Sequence, residues 1–300
     1  MHSTEEGAYL KENIILNNNY RIIKIISDSE LSIVYLAENL RNKEIQVIKE
    51  YFPKSLALRD LDDKVVLHKS PSFKKKFKEL RDVFIQEALI MKELNHQNII
   101  GYDDHFEENG TCYIAMEYGE GIRLDEMIKE HHITSLSCFL KNSLLPLLDA
   151  LDYLHTSGII HRDIKPSNIM IRKDGQPTIL DFGSAIYFKE QNSFTAFTTT
   201  GFSPLEFYSN SSEQGVYSDI YSLSATIYYI LSGKAPMNIS ERVIEDKIEP
   251  IRNYTQKISP LLSTIIMWGL AMNYKKRCPS LKPIRAAIYM EYIILKIKRA

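Results

Sequence analysis

The sequence predicts an α+β chain in two unequal parts, a small antiparallel-sheet part with one main helix and a larger, mostly helical part. Three observations point there. Residues 20–50 alternate or run in short apolar stretches rich in Ile and Val, as strands with one buried face do. Residues 77–94 repeat their apolar side chains at helical spacing, as an amphipathic helix does. Beyond the two-glycine stretch at 118–122 the spacing is helical for most of the remaining chain.

Within residues 20–50, the polar groups Ser27-Asp28-Ser29 and Arg41-Asn42-Lys43 mark turns between three antiparallel strands. Phe77, Leu80, Phe84, Ala88 and Met91 form one stripe of the main helix, with Glu87 on the adjoining face. Strand-like stretches follow at 99–106 and 112–117. Residues 1–19 read as an N-terminal extension, 20–117 as the first part, 118–122 as a linker and 123–300 as the second part. In 136–155, Leu140, Leu144, Leu147, Leu148, Leu151 and Leu154 share one stripe, which predicts a buried helix kinked at Pro146, since an interior proline costs ~3 kcal/mol. Asp174-Gly175 between short apolar runs at 168–171 and 177–180 predicts a hairpin. Three or more helices are expected over 217–300, with 218–231 apolar nearly all round and so central.

With 300 residues, 44% of them hydrophobic, the chain is long enough for a large core split over two lobes. A formal charge of -1 gives no electrostatic footprint for nucleic acid, and the basic run Lys74 to Lys78 reads as a solvated helix face. Cys112, Cys138 and Cys278 lack metal-ligand spacing and cannot all pair, which suits reduced thiols in a cytoplasm. The start MHSTEEGAYLKENIIL has neither the basic beginning nor the apolar core of a signal peptide. No apolar run reaches the ~18 residues of a membrane span. The last segment, with Glu291, Lys296, Lys298 and Arg299, predicts a closing amphipathic helix rather than an anchor.

Residues 161–183 read HRDIKPSNIMIRKDGQPTILDFG and set Asp163, Asn168 and Asp181 at the spacing that metal-assisted phosphoryl transfer needs. A γ-phosphoryl group must be met by a divalent cation while a substrate hydroxyl is aimed in line at it. Asp163 would orient that hydroxyl and accept its proton. Asn168 and Asp181 would offer hard oxygens to Mg2+, which takes few protein ligands beside phosphate.

The run resembles the H-R-D-x-x-x-x-N and D-F-G signatures of eukaryotic-like protein kinases, and the likeness extends over about residues 20–295. It implies the two-lobed kinase fold, ATP with Mg2+, or Mn2+ in its place, and protein substrates. Lys49 resembles the strand lysine that holds the α- and β-phosphates, and Glu87 its ion-pair partner. Lys165 matches the cation that serine/threonine-specific members set against the γ-phosphate. His161 and Phe182 fall at packing positions. Val34, Val47, Met116, Glu117, Tyr118 and Met170 fall at nucleotide-contacting positions. Ser203-Pro204-Leu205-Glu206 resembles the A-P-E end of the activation segment, with Glu206 expected to pair with Arg277. Asp219 resembles the aspartate that holds the backbone of the 161–163 loop. The stretch VIKEYFPKSLALRD resembles a bacterial branch of these kinases.

In the segment between Gly183 and Pro204, Thr199 matches the family threonine that touches Asp163 and Lys165. Thr195 and Thr198 are then the expected phosphate acceptors, with Arg162 as the cation on which such a phosphate would dock. The resemblance breaks at the nucleotide loop. All three glycines of G-x-G-x-x-G-x-V are replaced, by Ser27, Ser29 and Ser32, where glycine normally lets backbone N–H groups approach phosphate closely. Weaker ATP binding than a glycine loop gives is expected, with the added Cβ atoms as the main cause. Asp28 and Glu30 add negative charge beside it. Two function classes follow: a serine/threonine protein kinase, or a pseudokinase that uses the fold as a nucleotide-binding interaction module. Phosphorylation of a small metabolite is a third, opposed by Glu206 and Arg277.

Overall fold

The computed structural model describes residues 8–188, 198–209 and 212–298. The chain divides into two compact units, Met1–Asn95 with Ile100–Tyr118, and His96–Ile99 with Gly119–Ala300.

The first unit is built on a six-stranded antiparallel sheet: β1 (Ile15–Leu16), β2 (Tyr20–Asp28), β3 (Ser32–Asn39), β4 (Ile45–Tyr51), β7 (Tyr102–Glu108) and β8 (Thr111–Glu117), in the order β1-β2-β3-β4-β8-β7. Alternation sorts its faces. Along β4, Gln46, Ile48 and Glu50 are buried, whereas Val47 and Lys49 on the opposite face are half-buried, as a period of two requires. The main helix α1 (Lys74–Glu93) buries Phe77, Phe84, Glu87, Ala88, Ile90 and Met91; of the predicted stripe only Leu80 is left half-buried, and Glu87 and Ile90 join it. The Tyr51 ring meets Phe77 edge-on at 4.9 Å, and its hydroxyl donates to the Phe77 carbonyl at 2.8 Å.

The connection between β4 and α1 holds a hairpin that the polar sequence conceals, β5 (Ala57–Arg59) and β6 (Val66–His68). Arg59 carries it inward. Its guanidinium meets Glu50 at 2.7 and 3.2 Å, with both side chains fully buried. The hydroxyls of Tyr35 and Tyr113 also donate to the Glu50 carboxylate, each at 2.9 Å. Arg59 donates further to the carbonyls of Ala8 and Lys64, and the Leu10 N–H donates to the Tyr35 hydroxyl. One buried carboxylate thus ties β3, β4, β5, β8 and residues 8–10 together.

In the second unit, β9 (Gly121–Arg123), β11 (Ile169–Arg172) and β12 (Pro177–Ile179) form a three-stranded sheet, β12-β11-β9, and the short strands β10 (Ile159–Ile160) and β13 (Ile186–Tyr187) pair with each other. Among the described residues its α-helices are α2 (Leu124–Lys129), α3 (Leu136–Phe139), α4 (Leu145–Thr156), α5 (Val216–Ser232), α6 (Ile239–Ile244), α7 (Pro260–Gly269) and α8 (Leu281–Ile297), with short 3-10 turns between some of them. The predicted helix over 136–155 is helical throughout, but its hydrogen-bond pattern changes partway along. Over Leu140–Leu144 it widens into a π-turn in which the Leu145 N–H reaches the Leu140 carbonyl. Pro146 lies directly after this π-turn, at the start of α4, and the local change of pattern accommodates its missing N–H. Helix α5 is buried from Ser218 through Tyr228 and ends at Gly233, whose φ of 73° closes a left-handed cap. A Cβ on Gly269 of α7 would run into Ser224 of α5, so glycine sets how closely these helices approach.

The buried pair yields a stability prediction. Arg59→Met should leave Glu50 buried without its cation and cost about 3–5 kcal/mol. The Glu50→Gln/Arg59→Met double variant should recover a large part of that loss, as read by urea unfolding. A loss below about 1 kcal/mol for Arg59→Met would show that the pair does not anchor the hairpin.

Candidate active site

In the first unit, three cross-strand pairings assemble one cluster. Val34 lies opposite Lys49, and Lys49 opposite Ile114, while Val47 lies opposite Met116. Val34, Val47, Lys49 and Met116 therefore share one face of the sheet. Glu87 of α1 meets Lys49 on that face. The Lys49 ammonium lies 2.7 and 2.9 Å from the two Glu87 oxygens, with Glu87 buried and Lys49 13% exposed. At the end of β8, Glu117 and Tyr118 are exposed.

The loop between β2 and β3, where the sequence places the expected nucleotide loop, is a tight turn. The Ser29 N–H donates to the Ser32 carbonyl at 2.8 Å, and the N–H groups of Leu31 and Ser32 donate to the Ser29 hydroxyl at 3.3 and 3.1 Å. Ser27 pairs with Val34 at the β2 end. Asp28 pairs with Lys54 and accepts from the Tyr9 hydroxyl at 3.2 Å. The hydrogen bond from Lys54 holds the Asp28 carboxyl below the usual carboxylate range. Asp28 is thus turned to a cation of its own unit. The sequence reading missed both Lys54 and Tyr9, because neither carries a local signal for a contact with residue 28.

In the second unit, β10 delivers the chain into His161-Arg162-Asp163. Asp219 of α5, fully buried, accepts the backbone N–H groups of His161 and Arg162 at 2.9 and 2.8 Å. Its Oδ2 also lies 2.9 Å from His155 Nε2. Burial alone would raise the Asp219 pKa. His155, His161 and the backbone N–H outweigh it and hold the carboxyl below its usual range. Arg162 takes a φ of 66°, a strained region for a side-chain-bearing residue, and these bonds over-determine it.

Asp163 is the hub of the polar set. Asn168 Nδ2 donates to its backbone oxygen at 3.0 Å and to Oδ2 at 2.7 Å. The Lys165 ammonium lies 2.8 Å from Oδ2 and donates to the Thr199 hydroxyl at 3.1 Å, and that hydroxyl donates to Oδ1 at 3.2 Å. The Asp163 pKa is raised, first by burial and also by the like charge of Asp181, against the opposing pull of Lys165.

The β11–β12 hairpin joins Asn168 to Asp181. The Leu180 N–H donates to the Asn168 carbonyl at 3.0 Å, one register step beyond the Ile169–Ile179 pair. Asp181 Oδ1 accepts the Gly183 N–H at 3.1 Å. With its amide nitrogen turned to Asp163, Asn168 has an amide oxygen that could ligate a cation. Among the described residues no three His, Cys, Asp or Glu side chains gather as a metal cage. Two oxygens, from Asn168 and Asp181, suit an ion such as Mg2+ that keeps water and phosphate oxygens around it.

The remaining expected residues fall as follows. His161 and Phe182 are buried and meet edge-on at 4.9 Å. Met170 is buried on β11. Arg277 and Glu206 form a buried pair at 2.7 and 3.2 Å, with the Ser218 hydroxyl on Glu206 at 2.9 Å. Arg162 is buried, donating to the Ser184 carbonyl and to Gln214 Oε1 at 3.1 Å; burial lowers its pKa to about 10. Gln214 was not anticipated. Thr198 is exposed, and Thr195 lies outside the described residues. Among the described residues no helix is long and apolar enough to cross a membrane.

The family model for the protein kinase domain matches residues 54–292. Its match starts after the serine-substituted loop and Lys49. Serine/threonine-protein kinase PknA of a Nostoc strain is 28% identical over 290 residues, 92% of this chain and 48% of the relative. Serine/threonine-protein kinase cds1 of Schizosaccharomyces pombe is 32% identical over 258 residues, 83% and 52%. Serine/threonine-protein kinase PknB of Mycolicibacterium smegmatis is 28% identical over 292 residues, 90% and 42%. The chain thus spans about half or less of the length of these curated relatives. The solved structure of PpkA-294 in its apo form matches with a TM-score of 0.81 at 28% identity, covering 93% of this chain and 99% of that one. The match covers the two-lobed fold expected from the sequence, and the chain belongs to the protein kinase domain family.

Proposed function

We propose that this chain is a serine/threonine protein kinase that transfers the γ-phosphoryl group of ATP, with Mg2+ or Mn2+, to protein hydroxyls. Protein kinases as a family work with ATP and a divalent metal ion. The observation that carries the reading is the polar set around Asp163, complete and internally hydrogen-bonded, together with the Lys49–Glu87 pair.

In this reading Asp163 orients the substrate hydroxyl and accepts its proton, and its raised pKa makes the carboxylate a better base than an ordinary one. Asn168 fixes the Asp163 side chain through Oδ2. Lys165, already beside Asp163, faces the charge that develops during transfer, and Lys49, held by Glu87, steadies the phosphates of the nucleotide. Asn168 and Asp181 hold the metal ion, which when bound neutralises charge on the phosphate oxygens. Ser27, Ser29, Ser32, Val34, Val47, Met116, Glu117, Tyr118 and Met170 contact the nucleotide. Residues 20–117 and 123–300 act as the two lobes, with 118–122 as hinge, in the cytoplasm. Autophosphorylation falls at Thr195 or Thr198. A pseudokinase role rests on one feature alone, the loss of all three loop glycines, and the similarity to named protein kinases does not favour it.

Incubation with labelled Mg-ATP should give autophosphorylation and label a generic basic protein. Asp163→Asn should lower the rate at least about a hundredfold, and Lys49→Met and Asp181→Asn should abolish it, with thermal unfolding still cooperative. A folded chain that binds ATP yet transfers no label would make the pseudokinase role the correct one. Phosphopeptide mass spectrometry should locate phosphate at Thr195 or Thr198, and an autophosphorylated sample unmodified at both would refute that assignment.

The pH dependence has a definite sign. Asp163 must be ionised to accept a proton, and its pKa lies above the ordinary carboxylate value. Turnover should therefore rise with pH through that raised value and fall away in acid earlier than an unperturbed aspartate would dictate. An acid limb of kcat/KM at or below the ordinary carboxylate range would contradict the role given to Asp163.

A further inference from the structure

The loop serines do more than fill the place of glycine. A hydroxyl offers one proton and two acceptor lone pairs. In Ser29 both acceptor directions are engaged, by the Leu31 N–H at 3.3 Å and the Ser32 N–H at 3.1 Å. Its proton lies within reach of the Ser32 carbonyl at 3.3 Å and the Ser32 hydroxyl at 3.1 Å. The turn is also fastened from outside: the Phe52 N–H donates to the Leu31 carbonyl and the Lys54 N–H to the Glu30 carbonyl, each at 2.9 Å. Lys54 and Tyr9 hold Asp28 at the base of the turn. A phosphate-binding loop works by aiming its backbone N–H groups at phosphate oxygens. Here the N–H groups of Ser29, Leu31 and Ser32 are turned inward, two of them onto a single side-chain oxygen.

We infer that Ser29 is a positioning residue of the nucleotide loop, whose hydroxyl holds the Leu31 and Ser32 amides in an internal turn and so keeps them from the phosphates of ATP. The inference rests on the kinase reading above, and it assigns the weakness of the loop to a hydroxyl rather than to a Cβ. An alanine at position 29 keeps the Cβ and removes only the oxygen. It releases both amides, whereas glycine removes both groups at once. Adenosine lacks phosphates, so its binding does not depend on these amides.

The test is calorimetric titration of the intact chain, Ser29→Ala and Ser29→Gly with Mg-ATP and with adenosine, alongside amide hydrogen exchange at Leu31 and Ser32 without ligand. Ser29→Ala should speed exchange at both amides and tighten Mg-ATP by about two- to tenfold, the worth of one or two net hydrogen bonds. Adenosine should change by less than about twofold. Unchanged or weaker Mg-ATP binding by Ser29→Ala would overturn the inference, since the hydroxyl would then serve phosphate or nothing. Tightening by Ser29→Gly alone would return the effect to the Cβ, and an equal shift for adenosine would make it merely structural. If none of the three proteins binds Mg-ATP, the kinase reading falls and takes this inference with it; equal binding by all three overturns the inference alone.

Discussion

A carboxylate that no water reaches, Asp219, sets the backbone geometry on which the second unit's polar set around Asp163 depends. Burial disfavours its charge, and it stays ionised because backbone N–H groups and His155 surround it. Its position in the first turn of α5 adds the favourable end of the helix dipole. Those contacts fix the backbone of His161 and Arg162, including the left-handed φ of Arg162, and so decide where Asp163 emerges. The neighbouring Ser218 bonds Glu206, which is locked to Arg277. One helical turn thus braces both the 161–163 loop and the 203–206 segment.

The first unit solves the same problem with Glu50. Adjacent residues of β4 face opposite ways, so Lys49 reaches Glu87 on one face while Glu50 receives Arg59, Tyr35 and Tyr113 on the other. Each is an ion pair with at least one partner out of water, where losing one member costs far more than the pair contributes over an apolar replacement. The strand bearing Lys49 is held from both sides by charge, and register, not side-chain length, determines which charge goes where.

Most elements were legible because burial leaves a period in the sequence. The alternation over 20–50, most of the stripe of α1 and the buried α5, apolar on nearly all sides, became what their spacing implied. The short sheet β5–β6 was not legible, since six residues of strand flanked by Asp60, Asp62, Asp63 and Lys64 carry no readable period. Pro146 announced a disturbance but not its form, because a π-turn and a kink relieve the same missing N–H. In the site, Asp163, Asn168 and Asp181 could be named from local spacing. Lys54 on Asp28, Tyr9 on Asp28 and Gln214 on Arg162 could not: each joins residues at least 19 apart through polar groups that look like ordinary surface.

The lone pairs of Asp163 show how much of the site is preassembled. A carboxylate offers about four acceptor positions. Among the described residues, Asn168 and Lys165 share Oδ2, and Thr199 takes one position on Oδ1. The position left over belongs to Oδ1, the oxygen already receiving a threonine hydroxyl of the chain itself. That oxygen is therefore both oriented to accept a hydroxyl proton and limited in how many it can accept. Asn168 and Lys165 hold the carboxylate from the Oδ2 side, and under the kinase reading proposed above the open position on Oδ1 is where a substrate hydroxyl would bond. The division of labour follows from the amide of Asn168 being spent on Asp163: its nitrogen fixes the carboxylate through Oδ2, and its carbonyl oxygen takes no part in that contact.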